Sequence, residues 1–405
     1  MIRLLHIADV HLDTRLASKS DAVRDALREA IRGAFVRAID CGLDESVDAV
    51  LIAGDLLDDD RLRLETEGFL LRQLDRLDAA GIPVVYATGN HDPGVSDSRS
   101  GELEWPSNVV RVADSHPEVF EFKARSGPFR IVAAGHASTR EADNLVARFP
   151  SFDDGIPTIG VVHANVESVS TSGQHRPYAP CTVADLKGPG YEYWALGHVH
   201  APGNVAGSNA WYAGCLQGRH FREAGPRGGL LVCLTSGRQP DVEFRAFAGV
   251  GWHEVLLPAV DSIEGSRELD AAAAGVIEPL VRDRAADRLA VRFRLEGETR
   301  RWREFRDADE VAKLCSRWRA EFDLLEVELD ASRTYRPLDL ASLREEPTVL
   351  AEAMRVVDDL VLDPDLLRRV LPVEVRARFG DDSALDVDDA EQLHRLLAER
   401  FVLPE

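Results

Sequence analysis

The chain has 405 residues, 45% of them apolar, and a formal net charge of −22. That length exceeds one ordinary core and implies about two or three domains. The acidity argues against a protein that grips nucleic acid by bulk electrostatics, though it leaves room for a local basic or metal-lined cleft.

Taken in chain order, "MIRLLHIADVHLD" opens on a short apolar run that charge and histidine interrupt. It reads as the first strand of a sheet and not as a signal peptide, which predicts a cytoplasmic protein. No later run approaches the roughly 18 apolar residues of a membrane span, so no membrane partner is expected. "DAVRDALREAIRGAFVRAID" follows, with Val23, Leu27, Ile31 and Phe35 four residues apart on one helix face. "AVLIAGDLLD" and "PVVYATGNHD" read as buried strands around a helix, "ETEGFLLRQLDRLDAAGIP", that Gly81 and Pro83 stop. "RIVAAGHA", "TIGVVHAN" and "YWALGHVH" repeat the same plan, a short apolar run ending in polar residues. This alternation predicts an α/β layered domain. "NAWYAG", "GGLLVCLT" and "DVEFRAFA" are linked by turns, so that part of the sheet is expected to be mixed or antiparallel.

Three regions are expected: 1–250, 251–336 and 337–405. The second reads as a small α+β unit, with strands in "LAVRFRLEG" and "LLEVELDA" around a helix near "DADEVAKLCSRWRAEF". The third reads as helical, with one apolar stripe through Leu350, Ala353, Val357 and Leu360 and another through Leu393, Leu396, Leu397 and Phe401. Residues 336–405 carry 9 Arg and no Lys against 17 acidic residues. The five cysteines, at 41, 181, 215, 233 and 315, contain no CxxC pair and read as reduced thiols.

The strand ends carry the chemistry. Asp9, His11, Asp55, Asn90, His91, His163, His198 and His200 each follow an apolar run. In α/β sheets the crevice beyond the strand C-termini is where sites form. Each fragment alone reads as an ordinary turn or a satisfied core histidine, but together they predict a metal site. Phosphate ester hydrolysis needs neutralised oxygens and an activated water, and two divalent cations ~3.5–4 Å apart supply both. Carboxylate, imidazole and amide ligands together suit Mn²⁺, Fe²⁺ or Zn²⁺. Extended backbone is expected to put residues i and i+2 on one side, pairing Asp9 with His11 and His198 with His200. Gly197 is expected to spare a Cβ clash under the metals.

"DVH…GD…GNHD…H…GHVH" resembles the five-block signature of the calcineurin-like metallophosphoesterases, in order, over residues 1–250. "YAGCLQGRHFREAGPRGGLLV" further resembles the SbcD-type DNA repair nucleases, YhaO-like branch. The resemblance implies a four-layer α/β/β/α sandwich, with a small α+β capping domain and a helical C-terminal tail. It also implies two divalent metals, most often Mn²⁺, with Fe²⁺, Zn²⁺ or Mg²⁺ as alternatives. One metal would take Asp9, His11, Asp55 and His200; the other Asp55, Asn90, His163 and His198. His91 would be catalytic, contacting the phosphate and the leaving oxygen, and Asp92 would orient a ligand or His91. The implied activity is 3′–5′ exonuclease with single-strand endonuclease action on DNA. The implied partners are DNA, an SMC-like coiled-coil ATPase (SbcC- or YhaN-like) docking on the tail, and a second copy through helix 21–41. A small-molecule phosphodiesterase or phosphatase, or a non-catalytic recruiting subunit, are the rivals.

Two details depart from the nuclease pattern. Asp58 stands where many such nucleases carry histidine; His136 and His220 are candidate stand-ins, though each reads first as a structural or surface residue. Asp59 stands where protein phosphatases carry arginine. Arg219, His220, Arg222 and Arg227 form a local basic cluster, from which Arg219 and His220 are expected to contact the DNA backbone.

Overall fold

The computed structural model describes residues 1–58, 62–94, 103–167, 178–235, 237–257, 261, 263–283, 286–337, 339–362, 393–394 and 397–398. The first half of the chain runs β1 (Ile2–Ile7), α1 (Asp21–Asp44), β2 (Ala49–Ala53), α2 (Leu64–Ala79), β3 (Val84–Ala87), β4 (Val109–Val112), β5 (Glu118–Ala124), β6 (Gly127–Ala134), β7 (Thr158–His163), β8 (Asn165–Val166), β9 (Pro180–Cys181), α3 (Val183–Lys187) and β10 (Tyr193–Gly197). It continues with β11 (Gly203–Asn204), β12 (Ala210–Tyr212), β13 (Gly228–Leu234), β14 (Asp241–Ala246), β15 (Val250–Leu256), α4 (Ser266–Arg282), β16 (Arg288–Glu298), α5 (Ala308–Glu321), β17 (Glu326–Tyr335), α6 (Leu340–Glu345) and α7 (Val349–Leu362).

Two six-stranded sheets dominate, ordered β14-β13-β1-β2-β3-β4 and β11-β12-β10-β7-β6-β5. Side chains alternate across a strand, so each sheet sorts its residues onto two faces. On the first sheet, Leu5, Ile7, Val50, Ile52 and Tyr86 face α1 and α2, packing with Ile31, Phe35, Leu70 and Leu74. The alternate residues Leu4, Leu51, Ala53 and Val85 face the second sheet, meeting Phe129, Ile131, Ile159, Val161 and Tyr193. The far face of the second sheet, with Val132, Val162, Trp194 and Leu196, is covered by Leu145, Val146 and Leu186. The layers are therefore α/β/β/α, with a thin outer layer made of a 3₁₀ turn (Val146–Arg148) and α3.

Both sheets are parallel at their centres: β1 with β2, β2 with β3, β6 with β7, and β7 with β10. Strands buried on both faces need no polar side, which is why the sequence shows continuous apolar runs there. β13 and β14 are antiparallel, as the turns between them predict. "NAWYAG" makes that edge mixed: β12 runs parallel to β10, and the short strand β11 pairs antiparallel with β12.

The chain divides into two compact units. The first holds residues 1–254, 280–291 and 323–326; the second holds 255–279, 292–322 and the described residues from 327 onward. β15, β16 and β17 form a three-stranded sheet. Within the second unit, Trp318 of α5 is fully buried against Phe293, and its Nε1–H donates to Asp270 at 2.8 Å. Asp307 caps α5 by accepting the Asp309 and Glu310 amides. On α7 the buried stripe runs through Leu350, Ala351, Met354 and Val357, with Ala353 only half-buried. Asp59, Leu396 and Phe401 lie outside the described residues.

Candidate metal centre

Every strand that the motifs end on delivers its residues to one edge. β1 stops at Ile7, β2 at Ala53, β3 at Ala87, β7 at His163 and β10 at Gly197. The extended i, i+2 geometry expected at these ends is absent. Asp9, His11 and Asp55 sit at φ 49°, 51° and 50°, and His198 at 99°. At Asp9, His11, Asp55 and His198 the strand has already ended and left-handed turns gather the side chains, whereas His163 is the last residue of β7 itself. Such conformations cost about 1–3 kcal/mol each in non-glycine residues and persist where surrounding structure fixes them. Here the fixing bonds are visible: Asp9 N–H donates to Gly54 O at 3.1 Å, and His11 N–H to Asp55 O at 3.0 Å.

Glycines permit the approach. A Cβ on Gly197 would lie 1.8 Å from Ala53 O and 2.7 Å from His163 Nδ1. A Cβ on Gly54, itself at φ 89°, would lie 2.3 Å from the same ring.

All seven expected ligands converge. His200 Nε2 lies 3.5 Å from Asp9 Oδ1, and His163 Nε2 lies 3.4 Å from Asp55 Oδ2 and 3.1 Å from Asn90 Oδ1. His11 Nε2 lies 3.8 Å from Asp55 Oδ2. The His198 ring stands 5.2 Å from that of His163, and its backbone N–H donates to the Asp9 carboxylate at 3.1 Å.

Three imidazoles are anchored alike. His11 Nδ1 donates to Asp58 Oδ1 at 2.8 Å, His163 Nδ1 to Ala53 O at 3.0 Å, and His200 Nδ1 to Glu223 Oε1 at 2.6 Å. Each acceptor needs a proton on Nδ1, so each Nε2 is the nitrogen aimed at Asp9 or Asp55. That is the usual second interaction of a metal-bound histidine. His11 Nε2 is buried with no hydrogen-bond partner, an arrangement that costs free energy unless a cation takes it.

The electrostatics agree. Burial opposes charge on His200, yet Asp9 and Glu223 outweigh it and push its pKa up to about 9. Burial likewise opposes charge on Asp9, but His200, His163 and His11 hold its carboxyl well below the usual range. Burial, then the Arg219 charge, pulls His11 down to about 3, so its ring is neutral. The pocket is built to hold positive charge among ionised carboxylates, and the donor set fits divalent cations.

The remaining residues divide by exposure. The His91 side chain is 43% exposed while the ligand rings beside it are buried; its Nδ1 lies 3.2 Å from Asp58 O. Asp92 is buried and accepts from Gly89 N–H (2.7 Å), Asp55 N–H (3.2 Å), Leu57 N–H (3.0 Å) and Tyr86 O–H (2.6 Å). It therefore fixes the turn that carries Asp55. Burial and the Asp55 charge raise its pKa. His136 is buried and donates from Nε2 to His163 O at 2.7 Å, a structural role. The His220 ring is half exposed, 3.7 Å from Glu223. Arg219 is largely covered and engages Asp58 and Glu223.

Glu223 was not legible in the sequence. It sits in a 3₁₀ turn, Phe221–Glu223, inside the basic stretch "GRHFRE". Its only signal was an acidic residue within a basic cluster, and its partner His200 is 23 residues away.

Fold and site together define a metal-dependent phosphoesterase. Residues 2–202 match the calcineurin-like phosphoesterase family, so the chain carries a domain of that family. Within that class it is similar to the uncharacterized metallophosphoesterase YhaO of Bacillus subtilis (strain 168), 31% identical over 273 residues, 64% of each chain. It is also similar to the DNA double-strand break repair protein Mre11 of Aeropyrum pernix, 29% identical over 255 residues, 60% of each chain. The Mre11 of Haloferax volcanii is 28% identical over 279 residues, 66% of this chain and 58% of the relative. The chain thus spans about three fifths of the length of these relatives.

Proposed function

We propose that the chain is a two-metal nuclease that hydrolyses phosphodiester bonds at DNA ends. The observation that carries this reading is the convergence of seven ligand side chains, three with Nδ1 anchored and Nε2 turned inward. Asp9, His11, Asp55 and His200 would hold one cation, and Asp55, Asn90, His163 and His198 the other, with Asp55 bridging. The mixed donors suit Mn²⁺, Fe²⁺ or Zn²⁺; placing Mn²⁺ first, with Mg²⁺ as a further alternative, rests on the SbcD-type resemblance. Bound cations supply charge neutralisation at the phosphate and an activated water.

The chain's own residues do the rest. His91, exposed beside the ligands, faces the phosphate and carries a proton to the leaving oxygen. Asp92 keeps the Asp55 turn in register through the Asp55 and Leu57 amides. His220, half exposed at the rim, is available to a DNA phosphate, whereas the Arg219 guanidinium is already committed to two carboxylates.

DNA as substrate rests on the similarity to Mre11 proteins named for double-strand break repair. A cytoplasmic location, a second copy docked through α1, and a coiled-coil ATPase docked on residues 337–405 rest on the SbcD-type resemblance. Exposed Val349 and Val356 on α7 suit such a contact. The net charge of −22 favours a second reading, a small-molecule phosphodiesterase on the same site.

The test is nucleotide release by the purified chain with Mn²⁺ from linear duplex DNA labelled at the 3′ or the 5′ end. Early release of the 3′ label, abolished by chelator, is expected. Cleavage of a chromogenic phosphodiester with no release from DNA, alone or with the neighbouring ATPase, would favour the small-molecule reading.

A further inference from the structure

Arg219 ties together two carboxylate–imidazole pairs. Its Nη1 lies 3.4 Å from Asp58 Oδ1, the oxygen that accepts from His11 Nδ1 at 2.8 Å. Its Nη2 lies 3.1 Å from Glu223 Oε1, the oxygen that accepts from His200 Nδ1 at 2.6 Å. The Arg219 backbone N–H also donates to Glu223 Oε2 at 2.7 Å, which fixes where the side chain starts. Both carboxylates are largely buried, at 15% and 5% side-chain exposure, so neither can rely on water for its charge. The guanidinium itself is 13% exposed. One planar fork therefore spans both acceptors and sets the rings of His11 and His200, 5.2 Å apart, at the same time.

We propose that Arg219 is a positioning residue, a brace that aims His11 and His200 together at one of the two metal positions. The claim rests on the ligand division given above, in which both rings serve the same cation. It gives Asp58 a role in place of the imidazole that the sequence comparison leads one to look for. A carboxylate there holds a ligand ring and one arm of the brace. It also makes the two metal positions unequal, because the His163 ring is held by no carboxylate that Arg219 braces. His163 is held by a backbone carbonyl, Ala53 O.

The test is calorimetric titration of the metal-free full-length chain with Mn²⁺, comparing wild type with Arg219→Lys and Arg219→Gln. Lysine keeps the charge but offers one ammonium in place of the fork, which separates geometry from electrostatics. One Mn²⁺ site should weaken about 10–100-fold in both variants, the span usual for a lost partner behind a ligand. The other should hold its wild-type affinity, and KM for a chromogenic phosphodiester at saturating Mn²⁺ should barely move. Unchanged affinity at both sites with a raised KM would make Arg219 a substrate contact and overturn the brace; so would equal weakening of both sites. Should Arg219→Gln fail to fold, Arg219→Lys decides alone. A wild type that binds a single ion would sink the two-metal reading, while weakening of that one site in the variants would still support the brace.

Discussion

His11, His163 and His200 each spend Nδ1 on a fixed acceptor, and that choice decides what the site can bind. With the tautomer set from behind, Nε2 is left to face Asp9 or Asp55. Asp55 faces rings from both groups, His11 at 3.8 Å and His163 at 3.4 Å. Asp55→Ala is therefore expected to remove activity and both cations, checked by bound-metal analysis after gel filtration; an unchanged metal count would break the bridging assignment. His91 differs by its exposure: its ring meets Asp58 and the His11 ring, while its backbone N–H donates to Asp55 Oδ1 at 2.9 Å. His91→Ala should retain two metals while kcat falls about 10²–10⁴-fold, the usual cost of a lost general acid. Loss of metal in that variant would make His91 a ligand. Every one of these residues could be named from the sequence, because each follows an apolar run. What the sequence could not give was the anchoring, since Asp58 and Glu223 reach their rings across 47 and 23 residues.

At the scale of the elements, the parallel strands were legible because burial on both faces leaves four to six apolar residues in a row. Their ends were legible as ligand positions but not as conformations. Periodicity reports on extended backbone, and it ceases to inform once the chain turns left-handed at Asp9, His11, Asp55 and His198. The mixed character of the edge at β12 was legible from its turns, but β11 was not, as a two-residue strand leaves no pattern. The close approach of β10 to β2 gives a direct check on this geometry. Gly197→Ala would drive a Cβ to 1.8 Å from Ala53 O, where neither backbone can yield without moving a ligand. A loss of about 3 kcal/mol or more is expected in urea unfolding of the metal-free protein, at the upper end of overpacking costs. A midpoint equal to wild type would mean that the two sheet edges are not as close as described.

For the whole molecule, the layer between the sheets adds a pH dependence of its own. His6 points into that layer and shares a 2.9 Å hydrogen bond with Tyr193 Oη. Burial drives its pKa down to about 3, against smaller opposing effects from Leu196 and Asp9. The ring is thus neutral in the fold but takes a proton near pH 6.5 once unfolded. Its contribution is intact above pH 6.5 and lost as pH falls toward 3, with a slope of up to about 1.4 kcal/mol per pH unit. Urea midpoints at pH 7 and pH 5 should differ by less in His6→Gln than in wild type; equal slopes would place the titration elsewhere. Among the described residues no helix is long and apolar enough to cross a membrane. The layered plan follows from strand and helix alternation, whereas the thin helical cover over the second sheet does not, because α3 has only five residues.

On the proposed reading one carboxylate, Asp55, joins two cations at the meeting edge of the two sheets. Anomalous diffraction at the manganese edge, from crystals grown with Mn²⁺, tests it most directly. The account predicts two peaks about 3.5–4 Å apart, one on each side of the Asp55 carboxylate, one beside His11 and His200 and the other beside His163 and His198. A single peak, or a pair that leaves Asp55 uncoordinated, would contradict it.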